Sequence, residues 1–239
     1  MQYVWKILRS KKYEQSISRR VYRYIVTKAM IKREQLKLYA ITDSSWQNGD
    51  TLVHQVELAI AGGAKIVQLR EKNKSKEELK DLALEIKSVC NRYNVPFIVN
   101  DDVELAKEID ADGVHVGQDD ASVKSARQIL GTDKIVGATA KTIEQAQIAQ
   151  EQGADYLGSG AVFGSTTKKD ALPMTMELLN EICNSVQIPV VAIGGIDATN
   201  ISQLKGTDIA GAAVVSGIFA QHNIEKAAEQ LSQLLDEIV

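Results

Sequence analysis

The chain has 239 residues, 44% of them hydrophobic and 25% charged, with a net charge of −3. That apolar fraction excludes a disordered polypeptide. Two distant cysteines, Cys90 and Cys183, exclude a disulfide scaffold and suit a reducing cytoplasm. No apolar run reaches the roughly 18 residues of a membrane-spanning helix, so no membrane partner is expected.

Residues 1–36 carry ten basic and two acidic side chains, a net +8, while the rest of the chain, with 18 basic and 29 acidic, is −11. This stretch lacks Gly, Pro and Asp and reads as a helical or disordered basic extension. Its apolar runs are too short for a secretory signal. An acid-poor presequence and a nucleic-acid arm with Tyr13, Tyr22 and Tyr24 interleaved are alternatives. The favoured reading is a solvated extension without a nucleic-acid partner, and Met30 is a candidate translation start.

Over residues 37–239, apolar runs alternate with helical periodicity. Strands are predicted at Leu38–Thr42, Lys65–Leu69, Phe97–Asn100, Gly113–Val116, Ile135–Ala138, Tyr156–Ser159, Val190–Ile193 and Ala212–Val215. Helices follow near 51–61, 75–93, 102–109, 122–130, 142–152, 174–185, 198–204 and 224–237. Asp50, Ser75 with Glu78, Ser122 and Thr142 are the expected caps. The strands are apolar almost throughout, as in a parallel sheet covered on both faces. Eight strand–helix units over about 200 residues point to an α/β fold of the TIM (β/α)8 barrel class. The competing open sheet normally carries a Gly-x-Gly-x-x-Gly turn after its first strand, and here Thr42-Asp43-Ser44 stands there instead.

In such a barrel the loops after the strands carry the chemistry. Acids follow the third and fourth strands: Asp101 and Asp102, then Asp119 and Asp120. Hard oxygen donors without Cys or His companions suit Mg²⁺, which takes only one or two carboxylates. Asp102 and Asp119 read better as helix caps. Asp101 and Asp120 are balanced between capping and metal binding on spacing alone. Arg70, Lys72 and Lys168 offer positive charge on the same rim. Gly194-Gly195 and the loop at Val215 and Ser216 offer backbone N–H groups for phosphate. No Ser-His-Asp or Cys-His set is apparent. His54 and His222 read as surface residues and His115 as a buried, hydrogen-bonded strand histidine rather than a catalytic one.

The segments Leu38–Asp43, Gln68–Lys72, Val99–Asp102, His115–Asp120, Thr167–Asp170 and Ile193–Ile196 resemble, in order, those of the thiamine phosphate synthase family. The resemblance implies a (β/α)8 transferase of alkyl or aryl groups other than methyl. It joins a hydroxymethylpyrimidine diphosphate to a thiazole phosphate, releasing diphosphate. It also implies that Gln68, Leu69, Arg70, Glu71, Lys72, Asn100, Thr139 and Lys168 hold the pyrimidine diphosphate. By the same resemblance, Arg70, Lys72 and Lys168 are expected to act on the leaving group, Ser165, Thr166, Thr167, Gly194, Gly195, Val215 and Ser216 to hold the thiazole phosphate, and Asp101 and Asp120 to hold Mg²⁺. A homo-oligomer is compatible with the resemblance. The sequence departs from the family pattern at Thr139 in place of Ser and at Gly164 in place of Pro. A thiazole tautomerase and a non-catalytic phosphate-binding barrel are the alternatives. The tautomerase would need a proton-transferring histidine where this chain has Lys141.

Overall fold

Apolar segments bounded by turn residues form strands where the sequence predicts them. The computed structural model describes residues 31–47, 49–118, 120–164 and 173–239. The extension over 1–30, Asp119, and the site candidates Ser165, Thr166, Thr167 and Lys168 lie outside the described residues.

The strands are β1 (Leu38–Ile41), β2 (Ile66–Leu69), β3 (Phe97–Asn100), β4 (Gly113–Val116), β5 (Ile135–Thr139), β6 (Tyr156–Gly160), β7 (Val190–Ile193) and β8 (Gly211–Val214). The longer helices between and after them are α1 (Leu52–Ala61), α2 (Lys76–Tyr93), α3 (Val103–Glu108), α4 (Val123–Leu130), α5 (Ile143–Glu151) and α6 (Met176–Ser185). A short α7 (Ser216–Phe219) and a final α8 (Ile224–Asp236) complete the order. The strands pair in parallel in sequence order, and β8 pairs back onto β1, closing the barrel. Among the described residues no helix is long and apolar enough to cross a membrane.

Successive side chains on a strand point to opposite faces, and the closed sheet turns that alternation into two cores. Leu38, Ala40, Val67, Leu69, Phe97, Val99, Val114 and Val136 belong to the outer core, beneath the helices. Tyr39, Ile41, Ile66, Ile98, Ile135, Tyr156 and Val191 fill the barrel interior. Burying one such Leu, Ile or Phe side chain is worth about 1.5–3 kcal/mol, so a register slip that exchanged the two faces would be strongly disfavoured.

Most predicted boundaries lie within one or two residues of the observed ones, and the exceptions have local causes. The helix expected over 198–204 shrinks to a 3-10 turn at Ile201–Leu204. Asp197 Oδ1 accepts from Thr199 N at 2.8 Å, and Asn200 Oδ1 accepts from Asp197 N at 3.0 Å. These side chains take backbone groups that a helix would need. The cap of α1 is Thr51, whose hydroxyl accepts from His54 N, and Asp50 instead pairs with the His54 ring. The last strand runs Gly211–Val214, because Val215 already turns the chain into α7, which the sequence reading did not foresee.

Ile31–Leu36 belong to the barrel unit, Ile31–Val239, although the sequence placed them in the basic extension. Ile31 and Leu36 join the interior cluster, and Arg33 pairs with Asp208 at 2.8 Å. Charge counting alone does not see that two apolar residues among the basic ones close the interior.

Between β5 and β6 the carboxylate of Asp155, 5% exposed, meets the Arg127 guanidinium and accepts from Val136 N at 2.9 Å. Removing one partner of a buried ion pair costs about 3–5 kcal/mol. Arg127→Met should therefore lower the unfolding free energy by about that amount in urea titration. A loss under about 1 kcal/mol would contradict the role given to this pair.

Candidate active site

Strand polarity sends every βα loop to one end of the barrel. A cavity there is lined by Gln68, Arg70, Asn100, His115, Thr139, Lys141, Gly194, Gly195, Val215 and Ser216. Beside it lies a groove of about 530 Å³ lined by Glu71, Lys72, Asp101 and Asp102, with Asn100 bordering both spaces. The cations, acids and glycine turns singled out in the sequence therefore converge where they are described.

The loops after β1 and β2 hold each other. Thr42 Oγ1 accepts from Arg70 N at 3.0 Å and donates to Glu71 Oε1 at 2.9 Å, while Ser44 N donates to Glu71 Oε2 at 3.2 Å. Glu71, expected to touch substrate, thus spends both carboxylate oxygens on the neighbouring loop. Arg70 and Lys72 flank it, one on the cavity and one on the groove. Leu69, another expected contact, buries its side chain in the outer core.

Asp101 follows β3 in the left-handed region, at φ 63°. Aspartate and asparagine tolerate that conformation better than other side chains. Its carboxyl reaches that of Asp120, from the loop after β4. Burial, then the hydrogen bond and the charge of Asp120, raise the Asp101 pKa to about 6, against the pull of Asn100 and Lys72. Asp120 Oδ2 also accepts from Gly117 N at 2.9 Å. Asp102 caps α3 by accepting from Leu105 N at 2.9 Å, the structural role expected of it. Among the described residues no cluster of three or more His, Cys, Asp or Glu forms. A pair of opposed carboxylates suits a hard cation that fills its remaining positions with water and phosphate oxygens.

On the opposite side, Gly194 and Gly195 have φ 104° and 64°. A Cβ on Gly194 would lie 2.4 Å from the Ala161 Cβ, and one on Gly195 2.6 Å from the Phe163 carbonyl oxygen. The turn therefore needs both left-handed geometry and missing side chains. Ser216 opens α7 on the rim beside it, where (β/α)8 barrels commonly bind phosphate.

His115 is hydrogen-bonded on β4, as expected, to Tyr156 and Thr139, but it is half-buried rather than buried and lines the cavity together with Tyr39 and Lys141. Period-two alternation with Gly113 and Gly117 was the available signal for an inward-facing His115. His54 and His222 are exposed, as expected.

A family model described as thiamine monophosphate synthase matches residues 38–218. The thiamine-phosphate synthase of Clostridium tetani is 46% identical over 200 residues, covering 84% of this chain and 96% of that protein. That of Persephonella marina is 43% identical over 206 residues, covering 86% and 99%. Among solved structures, a thiamine phosphate pyrophosphorylase from Pyrococcus furiosus superposes with a TM-score of 0.80 at 37% identity, covering 87% of this chain and 98% of that one.

The Asp101 carboxyl has a folded-state pKa above its ordinary value, so in metal-free protein its stabilising contribution is present below about pH 4 and lost as pH rises through about 6. Asp101→Asn keeps the left-handed residue and removes the repulsion. With chelator present, its melting temperature should exceed that of the wild type by about 2–4 °C near pH 7, after allowing for solvent screening of a partly exposed pair. The gap should close near pH 4. An equal or lower melting temperature at pH 7 would contradict the carboxylate repulsion.

Proposed function

The chain belongs to the thiamine monophosphate synthase family and is a transferase of that kind, and from this premise we propose how its barrel mouth carries out the coupling. The substrates are a pyrimidine methyl diphosphate and a thiazole phosphate, and the products are thiamine phosphate and diphosphate. The observation that carries this reading is the Asp101–Asp120 carboxylate pair set beside Lys72. Anionic metal ligands and a cation side by side fit a diphosphate bound together with Mg²⁺, and neither feature serves a neutral ligand.

Asp101 and Asp120 would hold the Mg²⁺, which supplies charge neutralisation on the departing diphosphate. Arg70 and Lys72 approach the same group from the β2 loop, and Lys168 belongs to the same set by the family resemblance. The bond between the methylene carbon and the diphosphate oxygen breaks with both electrons leaving on oxygen. The pyrimidine methyl cation left behind is captured by the lone pair of the thiazole nitrogen. No general base is required, because that nitrogen carries no proton to remove. Fixed positive charge around the leaving oxygen is the principal catalytic contribution.

Gln68, Asn100 and Thr139 line the cavity and are the side chains assigned to the pyrimidine ring in this proposal. The Gly194-Gly195 turn with Val215 and Ser216, and the segment Ser165–Thr167, form the thiazole phosphate side of the proposal. Thr139 retains the hydroxyl that the family has as serine. The two phosphate-bearing ends thus enter from opposite sides of one mouth, aligning the thiazole nitrogen with the methylene carbon.

Diphosphate release should require both substrates and Mg²⁺, and chelation should abolish it. Release from the pyrimidine diphosphate alone at the coupled rate would sink the coupling. Arg70→Ala and Lys72→Ala should each lower kcat by about 10²–10³-fold, the loss typical of removing one preorganised charge-stabilising donor. Wild-type turnover in either variant, measured by diphosphate release, would remove that residue from the mechanism.

A further inference from the structure

A chain of hydrogen bonds crosses the barrel interior under the mouth. Gln68 Nε2 donates to the Tyr39 hydroxyl at 2.7 Å. The Tyr39 and Tyr156 hydroxyls are 2.7 Å apart. The Tyr156 hydroxyl is 3.0 Å from His115 Nδ1, and His115 Nε2 is 3.1 Å from Thr139 Oγ1. The chain links β2, β1, β6, β4 and β5, and it ends at a hydroxyl on the cavity wall.

The interior is shaped to hold these rings. A Cβ on Gly137 would lie 2.1 Å from the Tyr156 ring, and one on Gly158 would lie 3.2 Å from the His115 ring. Glycines at inward positions of β5 and β6 thus leave room for side chains from the neighbouring strands. Tyr156 stacks edge-on to Tyr39 with centroids 5.8 Å apart and lies 5.5 Å from His115. Burial keeps both phenols protonated, since it raises the pKa of each.

With Gln68 Nε2 as the donor, one self-consistent set of directions runs along these bonds. The Tyr39 oxygen accepts from Gln68, so its single proton goes to the Tyr156 oxygen. The Tyr156 proton goes on to His115 Nδ1. An imidazole that accepts at Nδ1 carries its proton on Nε2, and that proton goes to the Thr139 oxygen. In that arrangement the Thr139 proton is the one the chain does not use, and Thr139 lines the cavity.

We propose that His115 is a positioning residue: by donating from Nε2 it fixes the Thr139 hydroxyl as a hydrogen-bond donor toward an acceptor atom of the pyrimidine substrate. The inference rests on the reading that this cavity receives the pyrimidine diphosphate. With Nδ1 protonated instead, Thr139 would donate back to the histidine and offer substrate only a lone pair. Ring nitrogens and phosphate oxygens are acceptors, so that reversal would set a lone pair against a lone pair.

The two amide replacements of histidine separate this role from bulk packing. Glutamine places its amide nitrogen near the Nε2 position and keeps the donor to Thr139; asparagine reaches only the Nδ1 side. His115→Asn should raise KM for the pyrimidine diphosphate and lower kcat/KM by about 10–100-fold, with KM for the thiazole phosphate unchanged. His115→Gln should recover most of that loss. In a Thr139→Ala background His115→Asn should add nothing further, because its path to substrate is already cut. The ¹⁵N spectrum of wild-type enzyme should show His115 protonated at Nε2 and bare at Nδ1, a readout that does not depend on any variant folding. Equal losses for Asn and Gln, additivity with Thr139→Ala, or a proton on Nδ1 would each overturn the proposal. Wild-type enzyme that fails to couple the two substrates would instead overturn the underlying reading of the cavity.

Discussion

Closure of eight parallel strands into one ring is the constraint from which the site follows. Parallel strands all end at the same rim, and a ring has no edge along which loops can disperse. Residues separated by more than a hundred positions in the chain, such as Arg70 and Ser216, therefore line one cavity. Closure also explains why the strands are apolar on both faces. The inner face must fill the barrel and the outer face must seat the helices, so both are largely apolar, and the polar side chains that line the cavity sit toward the top of the inner face. There Gln68, Asn100, His115 and Thr139 stand on the cavity wall.

The rim carries a local conflict that the fold tolerates. Asp101 and Asp120 face each other closely enough that burial and mutual repulsion raise the Asp101 pKa to about 6. Asp101 also occupies a left-handed backbone position. Such costs are retained where a stability optimum would dispense with function. Lys72 relieves part of the conflict, and a divalent cation between the carboxylates would relieve more of it. Glu71 is handled differently. Its charge is spent on Thr42 and Ser44, which ties two loops together.

Beneath the rim, polar groups are organised by supply and demand for protons. The buried phenols, the amide of Gln68 and the imidazole of His115 form a continuous chain in which each hydroxyl has one proton to give. A buried network of this kind stays favourable when its members are satisfied. Gly137 and Gly158 provide the room, so a residue type that serves turns elsewhere in the chain here serves ring packing.

Element identity and order were legible in the sequence because they rest on short-range patterns: apolar runs, capping hydroxyls and helical periodicity within windows of a few residues. So were the kinds of chemistry available at each strand end, since Arg70, Lys72, Asp101 and Gly194-Gly195 declare their charge or backbone freedom by residue type. Six motifs in order also sufficed for the family. Only the tertiary structure decided how those groups are used. It set Asp101 against Asp120, turned Glu71 into a clamp, placed Ile31 and Leu36 in the interior, and made His115 part of a relay. The physical reason is that each of these contacts depends on the register between strands or on the path of a loop. A register is fixed by packing around the whole ring, which no local window of sequence contains.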